Sequence, residues 1–500
     1  MRKRTTILSV LLCATLAACG GDDGGGGGGG VGGSYLPLGT TLECAGSEKV
    51  TGIEAETGNL ICGPDTDTDT DTDTMYMAGA GLALDGTTFS VGFADATCPG
   101  TQKVSGFSAG APVCQSDLQF SLPQVPRDNR IATVDTDSAR HMSITIGADG
   151  FPVISYRESG GTDLRVAKCA DTDCSTAPTL TTVDDPDGTD DVGEFTSIAI
   201  GPDGNPTVSY YDKANGALKV AKCVDPACAM TATLNVLDGA DPTEDIGRYT
   251  SLAIGTDGFP LISYYDVTNG NLKAAKCSDA ACTSGTNIIT TLDGLGLPDV
   301  GEYSSIAIGT DGLGVISYFN RTDDTLRVVK CGDAACAVGN ALYLVDDGGG
   351  DNVGRYTSIT IGADGRPVIS YRDVLNMALK VARCGDGACA TVASVTTVDA
   401  VGGDVGEYTS ITIGSDGLPI VAYYDATGGN LRTAKCGDAG CTAGNTVVTV
   451  DGGFVGQFAS ITIGSDGLPI IAYRNDDPVS ASLRVAKCAN PFCLPYWSRR

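Results

Sequence analysis

A cysteine pair of the form C-x4-C returns seven times in this 500-residue chain. Its first cysteine stands at 169, 223, 277, 331, 384, 436 and 488, so the interval is 54 residues three times, then 53, 52 and 52. A fixed period of that length marks one supersecondary unit copied along the chain. The units read like "TSIAIGPDGNPTVSYYDKANGALKVAKCVDPAC", followed by an end like "TLNVLD". Within a unit, "SIAIG", "PTVSYY", "LKVAKC" and "TLNVLD" are rich in β-branched and aromatic residues and bounded by turn residues, which predicts four short strands. Asp-Gly parts the first two strands in every unit, with Asp at 149, 203, 257, 311, 364, 416 and 466. That dipeptide is expected to form a two-residue hairpin turn. Pro follows two residues after the Gly in six units, and Gly314 replaces it in the fourth. At the start of a strand Pro costs no ladder bond.

Repeated units of four antiparallel strands predict an all-β chain, a seven-bladed β-propeller. An open stack of repeats needs capping units at its ends, and none is visible, so the units must close into a ring. The stretch "IATVD", residues 131–135, matches the unit ends "LTTVD" and "VTTVD" but follows no Cys pair, whereas Cys488 and Cys493 have no such stretch after them. Both gaps are explained if 131–135 is an N-terminal strand that completes the seventh blade and removes the exposed sheet edges. The alternative, a remnant of an eighth unit, leaves that blade unfinished.

The chain ahead of the repeats has a different character. Arg2, Lys3 and Arg4 precede an apolar run from Ile7 to Leu16, too short to span a bilayer, and residues 1–18 read as a signal peptide. The exit "LAAC", 16–19, resembles a bacterial lipobox, which implies lipidation of Cys19; Gly20 in place of Asp implies the outer membrane. Residues 19–34 form a Gly-rich tether that buries nothing. Region 35–125 holds two Cys-bounded motifs, "CAGSEKVTGIEAETGNLIC" and "CPGTQKVSGFSAGAPVC", both expected as small disulfide-pinned hairpins. Between them "DTDTDTDTDT" is read as a solvated spacer, with loose calcium binding as the alternative. The stretch "MYMAGAGLALDGTTFSVG" resembles segments of fibre proteins that trimerise, which implies trimerisation through this region. Residues 126–500 make up the propeller. Net charge is -29, and loss of Arg2, Lys3 and Arg4 takes it to -32, which argues against a nucleic-acid partner.

Of 20 cysteines, Cys13 leaves with the signal and Cys19 takes the lipid; the other 18 fall into nine neighbouring pairs. Even pairing in an exported chain predicts disulfides: Cys44–Cys62, Cys98–Cys114, Cys169–Cys174, Cys223–Cys228, Cys277–Cys282, Cys331–Cys336, Cys384–Cys389, Cys436–Cys441 and Cys488–Cys493. Zinc needs more ligands than two thiolates, and His141 is the sole histidine, so no metal site is assigned.

Loops entering the first strand share a propeller face with loops leaving the second, so equivalent residues there form rings. One ring is Arg140, Glu194, Arg248, Glu302, Arg355, Glu407 and Gln457, whose charge alternates until Gln457. It is expected as inter-blade ion pairs round the channel mouth, or else as a polar collar for a ligand. Tyr156, Tyr210, Tyr264, Tyr318, Tyr371, Tyr423 and Tyr473 are expected to pack between sheets. The positions after them supply the ligand-binding candidates Arg157, Tyr211, Asp212, Tyr265, Asp266, Arg372, Asp373, Tyr424, Asp425 and Arg474, because an aromatic or Arg beside a carboxylate suits a sugar or a peptide side chain. Their repetition suits inter-blade packing equally. His141, equivalent to Phe195, Tyr249 and Tyr303, is read as packing too.

These units resemble the Asp-Gly-x-Pro propeller repeats of secreted bacterial proteins and, more loosely, sialidase propellers. Sialidases carry Ser-x-Asp-x-Gly-x-x-Trp boxes between third and fourth strands; here Asp-Gly lies between first and second strands, and the one Trp is Trp497. The expected function is a lipid-anchored, non-catalytic binding module for protein or glycan, at the outer membrane and facing periplasm or surface. The alternative is a secreted glycosidase or lyase. No catalytic residue and no cofactor is assigned, since every candidate recurs by symmetry while catalysis needs unlike groups at one point.

Overall fold

The computed structural model describes residues 128–494, apart from 185–190, 240, 242 and 297–298, together with six short strands between 48 and 116. Two units divide the chain, residues 1–124 and 125–500. In the first, Glu48–Ile53 pairs with Leu60–Pro64, Leu82–Asp85 with Thr88–Val91, and Gln102–Ser108 with Ala111–Ser116, all antiparallel. The signal peptide, Cys19, the tether, the Asp-Thr spacer and the sulfurs of Cys44, Cys62, Cys98 and Cys114 lie outside the described residues.

The second unit is a closed propeller of seven four-stranded antiparallel sheets. Blade two is typical: Val192–Ile200, Pro206–Asp212, Ala217–Lys222 and Thr233–Asp238, in sequence order from axis to rim. Blade seven takes Val455–Ile463, Pro469–Asn475 and Ser482–Lys487, and its fourth strand is Arg130–Asp135, with Val485 opposite Ala132 and Ala486 opposite Ile131. The ring therefore closes by a main-chain ladder, as the orphan "IATVD" predicted. Asn129 adds to the closure, accepting from the Ala489 N–H at 3.1 Å and donating to the Cys493 carbonyl at 2.6 Å.

Second strands are buried along both faces, because each sheet is covered by a neighbour on either side. Three sets of contacts fasten blade to blade. The hydroxyl of the Ser in the middle of each first strand (Ser143, Ser197, Ser251, Ser305, Ser358, Ser410, Ser460) accepts an N–H from the next blade's first strand at 3.0–3.3 Å, seven times round. Each buried second-strand Tyr donates to the Asp that ends the preceding blade's fourth strand, as in Tyr210 to Asp184 at 2.6 Å, and Tyr156 reaches Asp135 at the closing seam. A third-strand base joins that Asp in six seams, for instance Lys380 on Asp346 at 2.6 Å and Arg432 on Asp399 at 2.8 Å. The bases of the third strand are thus partners of local aspartates. The third set is a hydroxyl pair between second strand and next first strand, Thr250 to Ser209 at 2.8 Å being one.

The Asp-Gly turns differ from expectation. Gly147 N–H bonds to Phe151 O and Gly150 N–H to Gly147 O, so the loop is a three-residue turn with Gly150 at φ 84, while Asp149 does not have positive φ. A two-residue type I′ turn would need positive φ at both Asp and Gly. The longer loop is held instead by its own carboxylate: Asp149 accepts the Phe151 N–H at 3.1 Å and Lys168 Nζ at 2.7 Å, and the same Lys or Arg to Asp link recurs in all seven blades. Each C-x4-C pair bridges a short loop after the third strand, with Cα atoms 4.7–5.0 Å apart. Its third residue, Asp or Asn, caps the loop; Asp225 accepts three N–H groups, from Ala227, Ala229 and Met230.

Candidate functional site

The start of each first strand lies opposite the end of the second, Val192 against Asp212, so the residues singled out in the sequence gather at one end of the ring. Register shifts between Val192 and Glu194 and between Glu194 and Ser197 place a bulge there, with Phe195 at φ 54. A bulge re-aims its side chain, and the same conformation recurs at His141, Tyr249, Tyr303, Tyr356, Tyr408 and Phe458. Their rings form a closed circle with neighbouring centroids 4.5–4.8 Å apart. Tilted and edge contacts at this spacing are favourable for aromatic quadrupoles. His141 takes its place between Phe195 and Phe458, which agrees with a packing role. Burial, then Arg157 and Arg140, push its pKa down to about 3, so the imidazole is neutral.

The charged ring follows a different rule from the one expected. Among the described residues no ion pair joins two of its members. Glu194 pairs with Lys213 at 3.3 Å and Glu302 with Arg321 at 3.5 Å, both bases lying just past a second strand, and Glu407 pairs with Arg372. Arg248 pairs with Asp245 at 2.6 Å and lies over the Tyr211 ring at 5.5 Å; Arg355 lies over Phe319 at 5.4 Å. The reason is register: each ring member faces a second-strand residue, Glu194 against Tyr211 and Arg248 against Tyr265, while the bulged aromatics occupy the inner circle.

Eight of the ten ligand-binding candidates fall into two structural groups. Arg157, Tyr211, Tyr265 and Arg372 reach across a seam to the Asp that precedes the next blade. Arg157 bonds Asp191 at 2.6 and 2.8 Å, Tyr211 bonds Asp245 at 2.6 Å, Tyr265 bonds Asp299, and Arg372 bonds both oxygens of Asp404 at 2.6 and 2.8 Å. Burial first, then Asp245, push the Tyr211 hydroxyl up to about 12. Arg474 pairs instead with Asp476 at 2.5 Å, and Tyr424 has Phe454 where blades two, three, four and six have that Asp. Asp212, Asp266, Asp373 and Asp425 are buried and accept a backbone N–H three residues on at 2.7–3.0 Å, shaping the loop to the third strand. The acceptors Asp191, Asp245, Asp299 and Asp404 escaped the sequence reading, although each stands directly before the Val or Ile that opens a blade.

One cleft interrupts the symmetry of this face. It measures about 490 Å³ and is lined across blades four to six by Asp324, Asn352, Arg372, Leu375, Met377 and Asp404, among others. Leu375 is 65 % exposed and Met377 49 %. The loop bearing them is "DVLNMALK", where blade two has "DKANGALK". Met377 has φ 50, at a place where Gly216, Gly270 and Gly429 hold φ 63–67 and where Thr162 and Asp324 are likewise left-handed, at φ 68 and 57; of the three side chains there, Met377 is the apolar one. Asn376 Nδ2 bonds Asp351 at 2.7 Å and so ties this loop to the one before the blade.

No protein-family model matches the chain, and no curated protein matches it either. Among solved structures it is similar to a protein of unknown function from Dyadobacter fermentans, at 13 % identity and TM-score 0.45, covering 71 % of this chain and 98 % of that one. It is also similar to an α-L-arabinanase from Penicillium chrysogenum, at 12 % identity and TM-score 0.43 over 58 % of this chain and 92 % of that one. A sialidase from Streptococcus pneumoniae matches at 10 % identity and TM-score 0.42, over 76 % and 73 %. Likenesses this distant bear on neither ligand nor reaction; the fold stands on its own strand ladders, and the function must be argued from the face itself.

Proposed function

We propose that this chain is a binding module of the bacterial cell envelope, a stapled propeller tethered through lipidated Cys19 that holds a protein ligand in the cleft of blades four to six. The observation that carries the reading is the exposed pair Leu375 and Met377 on that cleft. A left-handed backbone costs an L side chain about 1–2 kcal/mol, which Gly avoids. Keeping Met rather than Gly at that φ, with half its surface in water, adds little to the core and provides an apolar anchor point. Asp324, Asp351 and Asp404 stand round it against the single Arg372, so the complementary ligand is a peptide segment with an apolar anchor flanked by Lys or Arg. Seven Cys pairs at bonding distance in one domain support an exported location.

The test is binding of the full-length protein to a library of such peptides and to a glycan array. Leu375→Asp should weaken peptide binding about tenfold or more, the loss expected for an anchor residue. Met377→Gly should weaken it too while raising Tm, because strain is relieved. Glycan binding indifferent to both substitutions, or glycan turnover abolished by one point mutation, would overturn the proposal.

A further inference from the structure

A second departure from symmetry lies on the same face, at the seam of blades seven and one. Where the ring residue is Arg, the preceding blade normally offers it an aromatic surface: Arg248 lies over Tyr211 and Arg355 over Phe319. Arg140 is the third such Arg, and the residue offered to it is Arg474. Its own strand makes the crowding worse, since Arg140 stands directly opposite Arg157 in the ladder. Like charges directly opposite are ordinarily destabilising. Blade five has the same pairing, Arg355 opposite Arg372, but there Asp404 and Glu407 both neutralise Arg372.

The anions near the closing seam are already engaged. Asp191 serves Arg157 at 2.6 Å and Lys213 at 2.9 Å, Glu194 serves Lys213, and Asp476 serves Arg474. Glu158 is buried and accepts the N–H groups of Gly160 and Gly161. At the ring position where alternation would place an acid beside these arginines stands Gln457, which accepts from Arg474 at 3.4 Å. Among the described residues the Arg140 side chain makes neither a hydrogen bond nor an ion pair, and it is exposed. Burial, and the nearness of Arg140, hold Arg474 below the usual guanidinium range in spite of Asp476.

We infer that the closing seam is an anion-binding site in which Arg140, with Arg474 and Arg157 behind it, holds one oxyanion group, a carboxylate, sulfate or phosphate, at the channel mouth. The arrangement leaves one cation without a counter-charge, on a planar guanidinium suited to two-point contact with such a group. A chain of net charge -29 repels anions at long range, so the arginines act at contact rather than by steering. The site stands independently of the cleft at blades four to six.

The experiment titrates the full-length protein with inorganic sulfate, inorganic phosphate and the monosaccharide galacturonate, at constant ionic strength with chloride as the reference, following the Arg side-chain resonances. Saturable binding of at least one probe is expected, and which probes bind separates tetrahedral from carboxylate preference. Arg140→Gln, on an exposed side chain, should weaken that binding about tenfold, as loss of a charge-assisted contact does. Arg474→Tyr rebuilds the stacking of the other seams and Gln457→Glu supplies the missing acid. Both should weaken binding while Tm stays level or rises, an outcome a merely structural arginine would not give. No saturable binding of any probe, or wild-type affinity in Arg474→Tyr and Gln457→Glu, would overturn the inference.

Discussion

Ser209 and Thr250 share a buried hydrogen bond across one seam, and the same pair joins Ser155 to Thr196, Ser263 to Ser304, Ser317 to Thr357 and Ser370 to Thr409. In the two remaining seams both partners are apolar: Ala422 with Ala459, and Ala472 with Met142. The pair is either wholly polar or wholly apolar, as expected if a lone buried hydroxyl is the costly state. Ser209→Ala and Thr250→Ala should each cost about 1–2 kcal/mol, whereas the double variant should cost less than their sum by about 1 kcal/mol. Urea denaturation of the four proteins checks this, and additive losses would show that the pair carries no coupling. His141 sets a second expectation, in pH. Its folded pKa of about 3 lies below the ordinary value of about 6.5. Between those values the unfolded chain binds a proton that the folded chain refuses, so stability falls as pH drops below about 6.5. Burial raises the turn carboxylates Asp149 and Asp203, yet their Lys and backbone partners hold them below the usual range, so their contribution is lost only below about pH 4. His141→Phe, which copies Phe195 and Phe458, should therefore flatten the change in denaturation midpoint between pH 7 and pH 5. An unchanged slope would place its origin elsewhere.

At the scale of strands and loops, the sequence was most legible where period and polarity agree. Four strands per unit, the seven buried tyrosines and the C-x4-C loops follow from β-branched runs, turn residues and even cysteine pairing. What stayed hidden depends on the third dimension. The ring from Arg140 to Gln457 looked like a circle of mutual partners because its residues alternate in sign along the sequence. Bulges at Phe195 and its equivalents instead turn the aromatics inward and set Glu194 beside Lys213. Asp-Gly likewise misled, because the dipeptide alone does not show the third-strand Lys or Arg that holds the Asp carboxylate in the three-residue turn. The C-x4-C loops give a prediction at this scale. Each closes a short loop, worth about 2 kcal/mol in the chain-entropy model. Cys277→Ala with Cys282→Ala should lower unfolding stability by about that amount without changing strand content, read by urea denaturation and circular dichroism. A loss of strand signal would mean that the loop is needed for the blade to form at all.

For the whole molecule, the seam between blades seven and one is bridged by the first-strand Ser bond, the Tyr–Asp bond and the third-strand base that recur round the ring, with Ala472 and Met142 in place of the hydroxyl pair. Blade seven itself joins the two ends of the domain. Ser460 accepts the Ile144 N–H, Tyr156 finds Asp135, Arg165 joins them, and the ladder from Leu483 to Lys487 pairs with Arg130–Asp135. The missing covalent link lies inside blade seven, between its third and fourth strands. Four residues separate Cys228 from Thr233 in blade two, and four separate Cys174 from Thr179 in blade one. Joining Leu494 through a single Gly to Asp128 restores that number between Cys493 and Arg130, and the contacts of Asn129 with Cys493 and Ala489 show the two ends already adjacent. A circular permutant joined in this way, and opened in the 294–299 loop between blades three and four, should fold to a ring with one seam newly discontinuous and blade seven continuous. Blade four would then begin the chain, and every blade would contain its own fourth strand. If the strand exchange serves only to close the ring, the permutant should keep the native circular dichroism and protease resistance. It should lose resistance if the N-terminal closing strand is needed as a clasp across the ends of the domain, because no strand then crosses from one terminus to the other. The second outcome would make the opening between blades three and four the first site of cleavage, mapped by limited proteolysis. The first is the expected one, since the new seam retains the Ser251 bond to Ile306, the Tyr318 bond to Asp293 and the hydroxyl pair of Ser263 with Ser304, all of them made by side chains that the cut leaves in place.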